Sequence, residues 1–412
     1  MENPFRSTEH VRQRRVKKTT SRAEVHRFEF QARFRRHAFG WKSQPAIVRI
    51  KQAVTEIKRL ARQKPELAAE GAMRFLERVS PAIEQVDSSS GTIGTAVSRA
   101  IEELAAIIEA APAATETRLE WLERLWKAYQ DDGIPYLETL VDHWGALCGT
   151  RESAIAWLDQ AQGAMLADGA DQAWLGAMVR AERHEQLLVV LRRAPLEWNI
   201  QRHAVDALLA TGRREEALAI AEACSARSAL PDPSIACEKI LLSLGRTEEA
   251  YVRHALAAST RSTYTATFRE LRRKYPEKAA ADVLADLVRA SPSEAGKWFA
   301  AAKDAGLFGE ALALARRSPC DPRTLARAAR DHGTTHAEFA VNAGLLALHG
   351  MVAGQAYELE GRDIRMAYDG TMAAAEQLGS SGEVEASVRK VAAAGGLLAS
   401  YVASVLPKER GA

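Results

Sequence analysis

Apolar residues recur at intervals of three and four along most of the chain. Ile47, Ile50, Val54, Ile57 and Leu60 form one stripe, Val97, Ile101, Leu104 and Ile108 a second, and Leu119, Leu122, Trp126 and Tyr129 a third. This spacing gathers side chains on one face of an α-helix. Pro65 marks one helix start and Ser80-Pro81 predicts a restart, since Ser caps and Pro fits the first turn. Asp87-Ser88-Ser89-Ser90-Gly91 reads as a loop. Leu137–Leu147 and Ser153–Met165 continue the helical pattern. Leu187–Leu191 is the best strand candidate, but Glu182–Arg193 reads better as one buried helix. Asp232-Pro233, Ser291-Pro292-Ser293-Glu294 and Asp321-Pro322 predict capped helix starts, the second with a capping box. His336–Leu406 reads as longer helices rich in Ala and Gly, ending in a buried one.

A repeat is superimposed on this pattern. Gly212-Arg213-Arg214-Glu215-Glu216-Ala217 recurs as Gly245-Arg246-Thr247-Glu248-Glu249-Ala250, and more weakly as Gly306-Leu307-Phe308-Gly309-Glu310-Ala311. The first two copies lie 33 residues apart, a period typical of paired-helix repeats. The Gly closes one helix in the left-handed conformation, the Glu residues suit the start of the next, and the Ala lets the two approach closely. The predicted fold is therefore all-α: a superhelical array of antiparallel helix pairs, a TPR-like α-solenoid, behind a basic N-terminal extension. The expected divisions are a partly disordered leader (1–44), an N-terminal helical domain (45–195) and helical repeats with Ala/Gly-rich terminal helices (196–412).

Composition supports this reading. Ala supplies about a fifth of the 412 residues, and Ala is the strongest helix former. The net charge of +3 is unevenly spread: residues 1–42 hold 12 Lys and Arg against 4 Glu. The remainder is mildly acidic. Four cysteines without a CxxC or CxC spacing point to a reducing compartment, and a cytoplasmic location is expected. Met1–Arg15 lacks the apolar run of a secretory signal, and Val391–Leu406 falls short of a membrane span.

Candidate chemistry is sparse. His332 and His336 are spaced for a shared metal, but no Glu follows His332 and Gly333 weakens the helix. Cys224 and Cys237 read as small core residues, and the Glu pairs as solvated helix starts. No catalytic residue, metal or cofactor is expected. The loop Ser88, Ser89, Ser90 and Gly91, ahead of a helix, is the best candidate for an anion. In the leader, Arg14, Arg15, Lys17, Lys18, Arg27, Arg33, Arg35, Arg36 and Trp41 are candidates for contact with nucleic acid or an acidic partner, the interleaved Phe and Trp offering stacking faces. The competing expectation is that these aromatics pack and the arginines stay in water.

Part of the sequence resembles a known family. Ala72-Met73-Arg74-Phe75-Leu76-Glu77-Arg78-Val79, Asp87-Ser88-Ser89-Ser90-Gly91-Thr92-Ile93-Gly94 and the helix around Trp126 resemble the core of a bacterial all-helical, TPR-like family of unknown function. Tyr275-Pro276 and the Gly–x–x–Glu–Ala turns are similar to its later repeats, so the resemblance covers roughly residues 41–330. Its relatives are often associated with a SWIM-type zinc-finger segment, whose CxC is absent from this chain. The resemblance implies a helical-repeat fold and supplies no catalytic residues.

The leading expectation is a non-enzymatic scaffold or adaptor that binds an unidentified protein partner along a concave face, with the leader adding electrostatic steering. Arg180, Arg183, His184, Trp198, Arg202 and His203 are the candidate face, because aromatic and Arg clusters favour interfaces. The alternative is a nucleic-acid-binding component of a bacterial regulatory or defence assembly, contacting phosphates through the leader. No membrane partner is expected.

Overall fold

The computed structural model describes residues 26–161, 170–228 and 230–407. Among them the structure is helical, with no strand. The chain divides into two compact units, the first running through Ile240 and the second from Leu241. This division lies well beyond the boundary expected at residue 195. The reason is that the helices flanking Pro195 pack on each other, so the chain stays within one unit there.

The first unit opens with α1 (Phe30–Arg33), α2 (Ser43–Ala61), α3 (Pro65–Ile83), α4 (Thr92–Ala110) and α5 (Thr115–Gln130). α2, α3 and α4 pack mutually, burying Ile47, Ile50, Val54 and Ile57 from the predicted stripe. α3 runs unbroken through Ser80-Pro81, which was expected to restart a helix. Pro81 falls in its last turn, where little helix remains to disrupt. A 3-10 turn (Glu138–His143) leads into the short α6 (Trp144–Cys148), so the helix expected over Leu137–Leu147 changes pitch. Then come α7 (Arg151–Ala161), α8 (Ala170–Arg180), α9 (His184–Leu191), α10 (Trp198–Ala210), α11 (Arg214–Ser225) and α12 (Asp232–Ser243). Trp126, Trp144 and Trp157 form a buried aromatic row, with ring centroids 5.4 and 5.5 Å apart.

The repeat turns form as the sequence predicts. Gly212, Gly245 and Gly306 have φ of 78°, 73° and 76°. The next residue reaches back in each case: Arg213 N donates to Leu208 O, Arg246 N to Leu241 O and Leu307 N to Ala302 O, at 2.8–3.0 Å. These are helix-ending Schellman bonds. Ala217, Ala250 and Ala311 are each fully buried, and α11 packs on α10. A further turn of this kind was hidden in the sequence. Glu182 has φ of 57° without being Gly, and Arg183 N donates to Met178 O at 3.1 Å.

The second unit takes in the last residues of α12, from Leu241, and goes on with α13 (Thr247–Ala250), which continues through a π turn (Tyr251–Ala255) into α14 (Leu256–Ala258). α15 (Tyr264–Lys274), α16 (Ala280–Ala290), a 3-10 turn (Pro292–Trp298), α17 (Phe299–Asp304), α18 (Phe308–Arg317) and α19 (Pro322–His332) follow. Asp321 caps α19 as predicted, accepting from the backbone N–H of Arg323 and Thr324. The capping box expected at Ser291–Glu294 does not form. Glu294 instead accepts from the Tyr264 hydroxyl at 2.8 Å and pairs with Lys297. α20 (Ala337–Val352), α21 (Gly361–Gln377), α22 (Ser381–Ala392) and α23 (Leu397–Val405) complete the unit. The expected buried terminal helix is split at Gly395-Gly396, both at positive φ, and Leu397 is exposed. Among the described residues no helix is long and apolar enough to cross a membrane.

Candidate functional site

An open groove of about 1440 Å³ lies within the first unit. Four elements present one face each to it, at helical spacing. α4 contributes Thr95, Ser98, Arg99 and Glu102; the 3-10 turn contributes Thr139, Asp142 and His143. α10 contributes Trp198, Arg202, Val205, Asp206 and Leu209; α12 contributes Asp232, Ile235, Ala236, Lys239 and Ile240. The connections add Leu196, Arg227 and Leu230. Leu196, Leu209 and Leu230 are exposed, so the groove offers apolar surface beside charges of both signs.

Gln201 fixes the mouth of the groove. It is buried, and its Nε2 donates to the carbonyls of Leu191, Ala194 and Pro195 at 3.1–3.4 Å. Those carbonyls lie at the end of α9 and in the connection, where helix geometry leaves acceptors unsatisfied. Tying them down sets where Leu196 and Trp198 emerge. One turn on, Arg202 Nη2 donates to Asp142 Oδ1 at 2.7 Å, clamping α10 to the 3-10 turn. Burial holds the His143 imidazole below its ordinary value, partly opposed by Asp142. It is therefore neutral at pH 7.

Of the six residues expected on the partner face, the structure brings Trp198 and Arg202 into the groove. Arg180 is engaged with Glu109 at 3.1 Å and Arg183 with Asp159 at 3.1 Å, each linking separate helical segments. His184 opens α9 and does not line the groove. His203 must be corrected: it is buried at 4% exposure, with Nε2 3.2 Å from Gln172 Oε1. It points inward because it follows Arg202 by one residue, about 100° around the helix.

His203 carries a pH prediction. Burial pushes its imidazole down to about 3, against an ordinary value of ~6.5. Between those values the unfolded chain binds a proton that the native chain refuses, so stability falls as pH drops through that window. His203→Gln should lose less melting temperature between pH 7 and pH 5 than the wild type, read by circular dichroism. His143 supplies a residual slope of the same sign in both. Equal acid sensitivity in the two proteins would contradict the assignment.

The other expected sites are placed as follows. Arg14, Arg15, Lys17 and Lys18 lie outside the described residues. Arg27, Arg33, Arg35, Arg36 and Trp41 are exposed, but the interleaved Phe28, Phe30 and Phe34 are buried. Phe30 and Phe34 meet Phe75 edge-on at 5.7 and 5.1 Å. The stacking surfaces expected in the leader are thus consumed by packing, apart from Trp41. In the Ser88–Gly91 loop, the Asp87 carboxylate already accepts from Ser89 N at 3.0 Å. That bond holds Asp87 below its usual range, so a negative charge occupies the place expected for an anion. His332 and His336 pack around Phe308, with ring centroids 5.3 and 4.2 Å from it. Among the described residues no group of three or more His, Cys, Asp or Glu is placed to hold a metal ion.

Comparison of the chain with protein-family models, with curated proteins and with solved structures finds no match in any of the three. The functional reading therefore rests on the chain's own residues.

Proposed function

We propose that the chain is a non-enzymatic binding protein that holds a segment of a protein partner in the groove of its first unit. The observation that carries this is the groove's lining: exposed Leu196, Leu209 and Leu230 around a half-buried Trp198, interspersed with carboxylates and cations. An aromatic anchor amid apolar and mixed polar contacts suits a peptide interface. The groove exceeds the ~300–1,000 Å³ of small-molecule pockets and is open, which suits a polymer. The repeated turns and paired helices support reading the fold as a TPR-like superhelical array, a class that binds along extended faces.

The thiols support a binding role over a nucleophilic one. All four cysteines are buried. Burial pushes Cys148 and Cys320 up to about 12 and raises Cys224 as well, opposite to the lowering that activates a thiolate. Buried thiols also fit a reducing, cytoplasmic setting.

Peptide display against the full chain tests the proposal. Selected peptides should lose at least tenfold in affinity for Trp198→Ala, an anchor-sized loss of about 1.4 kcal/mol or more. They should keep their affinity for Gln186→Ala, on α9 outside the groove. Peptides indifferent to Trp198 would sink the proposal.

A further inference from the structure

A second surface of the first unit has a different character. Between His26 and Lys64 the sequence holds eleven Lys or Arg and only two acids, Glu29 and Glu56. Folding does not neutralise this excess. Glu56 is occupied in holding α1 against α2, accepting from the backbone N–H of Glu29 at 2.8 Å and of Phe30 at 3.3 Å. Glu29 lies 3.9 Å from Arg33. α2 buries its apolar stripe and turns Arg49, Lys51, Lys58 and Arg59 outward, and Arg62 is exposed at its C-terminal cap.

The outward ridge is flanked by two furrows. One, of about 570 Å³, runs between α1 and α2 and is lined by Arg33, Arg49, Lys51 and Arg59. The other, of about 700 Å³, runs between α2 and α4 and is lined by Lys58, Arg62 and Arg99, again with Lys51 and Arg59. Glu103 partly offsets the second furrow, pairing with Lys58 at 2.8 Å and lying 3.4 Å from Arg99. Lys51, Arg59 and Arg62 have no carboxylate partner among the described residues. At ~1.5 Å per residue the cations from Arg49 to Arg62 extend along about 20 Å.

We propose that this face binds the phosphate backbone of duplex nucleic acid. The complementarity is that of a linear array of cations with a linear array of phosphates. A duplex fits better than a single strand, because single-strand binding uses a series of exposed aromatic platforms, whereas Phe28, Phe30 and Phe34 are buried and Trp41 alone of the Phe and Trp residues beside α2 is exposed. Only phosphate contacts are implied, so binding is independent of base sequence. This surface goes beyond the peptide groove and does not depend on it. It also moves the nucleic-acid reading from a stacking leader to the ridge of α2.

Fluorescence anisotropy with labelled 20-base-pair DNA and RNA duplexes, a 20-nucleotide single strand and anionic vesicles tests it on the full chain. The variant Lys51→Gln/Arg59→Gln/Arg62→Gln changes exposed side chains only, and circular dichroism checks that it folds. It should bind duplex at least tenfold more weakly at 0.1 M salt. Its log–log salt slope should be shallower by about three, one per lost phosphate contact. Arg317→Gln/Arg327→Gln/Arg365→Gln removes equal charge from the second unit and should bind as the wild type does. The proposal is overturned by any of four results: equal loss in both variants, undiminished binding by the α2 variant, preference for single strand, or binding to vesicles alone.

Discussion

Arg118→Met should lower the melting temperature of the first unit by about 6–12 °C, the equivalent of about 3 kcal/mol in a domain of this size. Arg118 is among the largest fully buried side chains, at 2% exposure. Its guanidinium donates from Nη1 to Ile108 O and from Nη2 to Glu109 O, each at 3.1 Å, and from Nη2 to Ala111 O. These carbonyls close the C-terminus of α4, where helix geometry leaves acceptors without partners and the dipole favours a cation. Among the described residues no carboxylate is bound to the guanidinium; the side chain of Glu109 pairs with Arg180 instead. Burial accordingly lowers the Arg118 pKa. Met fills similar volume but removes all three charge-assisted bonds; Ile108 O and Ala111 O keep the backbone N–H groups of Ala111 and Ala113, and Glu109 O loses its donor, at about 1–3 kcal/mol if left buried and unpaired. Part of that cost is offset because the desolvated charge disappears as well. Calorimetry of the full chain reads the shift. A loss below 1 °C would mean that water reaches these carbonyls and that the arginine is incidental.

In the second unit, Gly344→Ala should destabilise by about 3 kcal/mol, the upper end of overpacking costs. α19, α20 and α21 pack closely on one another, and Gly344 sits where α20 meets Thr371 of α21. An added Cβ would fall on Thr371 Oγ1, while Thr371 Cβ would be 3.0 Å and Ala329 Cβ 3.3 Å away. Thr371 cannot simply turn aside, since its hydroxyl donates to Ala367 O at 2.6 Å and the residue is fully buried. Gly344→Ala/Thr371→Ala should therefore recover part of the loss, a coupling that a double-mutant cycle measures. Strict additivity would show that the two positions do not meet.

These residues mark the limit of what the sequence discloses. The stripes of α2 and α4 were readable because burial demands an apolar face at 3.6-residue spacing. The glycines at 212, 245 and 306 were readable because a left-handed turn favours Gly. Arg118 was not, because hydropathy assigns arginine to the surface and its acceptors belong to another helix. Glu182 was missed for a related reason: it takes the left-handed position without the residue that signals it. At Ser291–Glu294 a local capping pattern lost to a tertiary bond with Tyr264. In the groove, Trp198 and Arg202 were singled out by residue type alone. Their neighbours Asp142 and Lys239 come from distant segments whose meeting no local pattern encodes. Buried Gln201 resembled any polar helix residue until the acceptors around it were known.

The central claim is that the groove between α4, α10 and α12 docks a protein segment. Site-specific photo-crosslinking tests it most directly. A benzophenone side chain placed at exposed Leu209 preserves apolar character, and the same group at Gln186 serves as the comparison outside the groove. Crosslinking is performed with the display-selected peptides on the full chain. The account predicts a discrete one-to-one adduct from position 209, suppressed by excess unlabelled peptide, and little or none from position 186. Equal labelling from both positions, or adducts from position 186 alone, would contradict it.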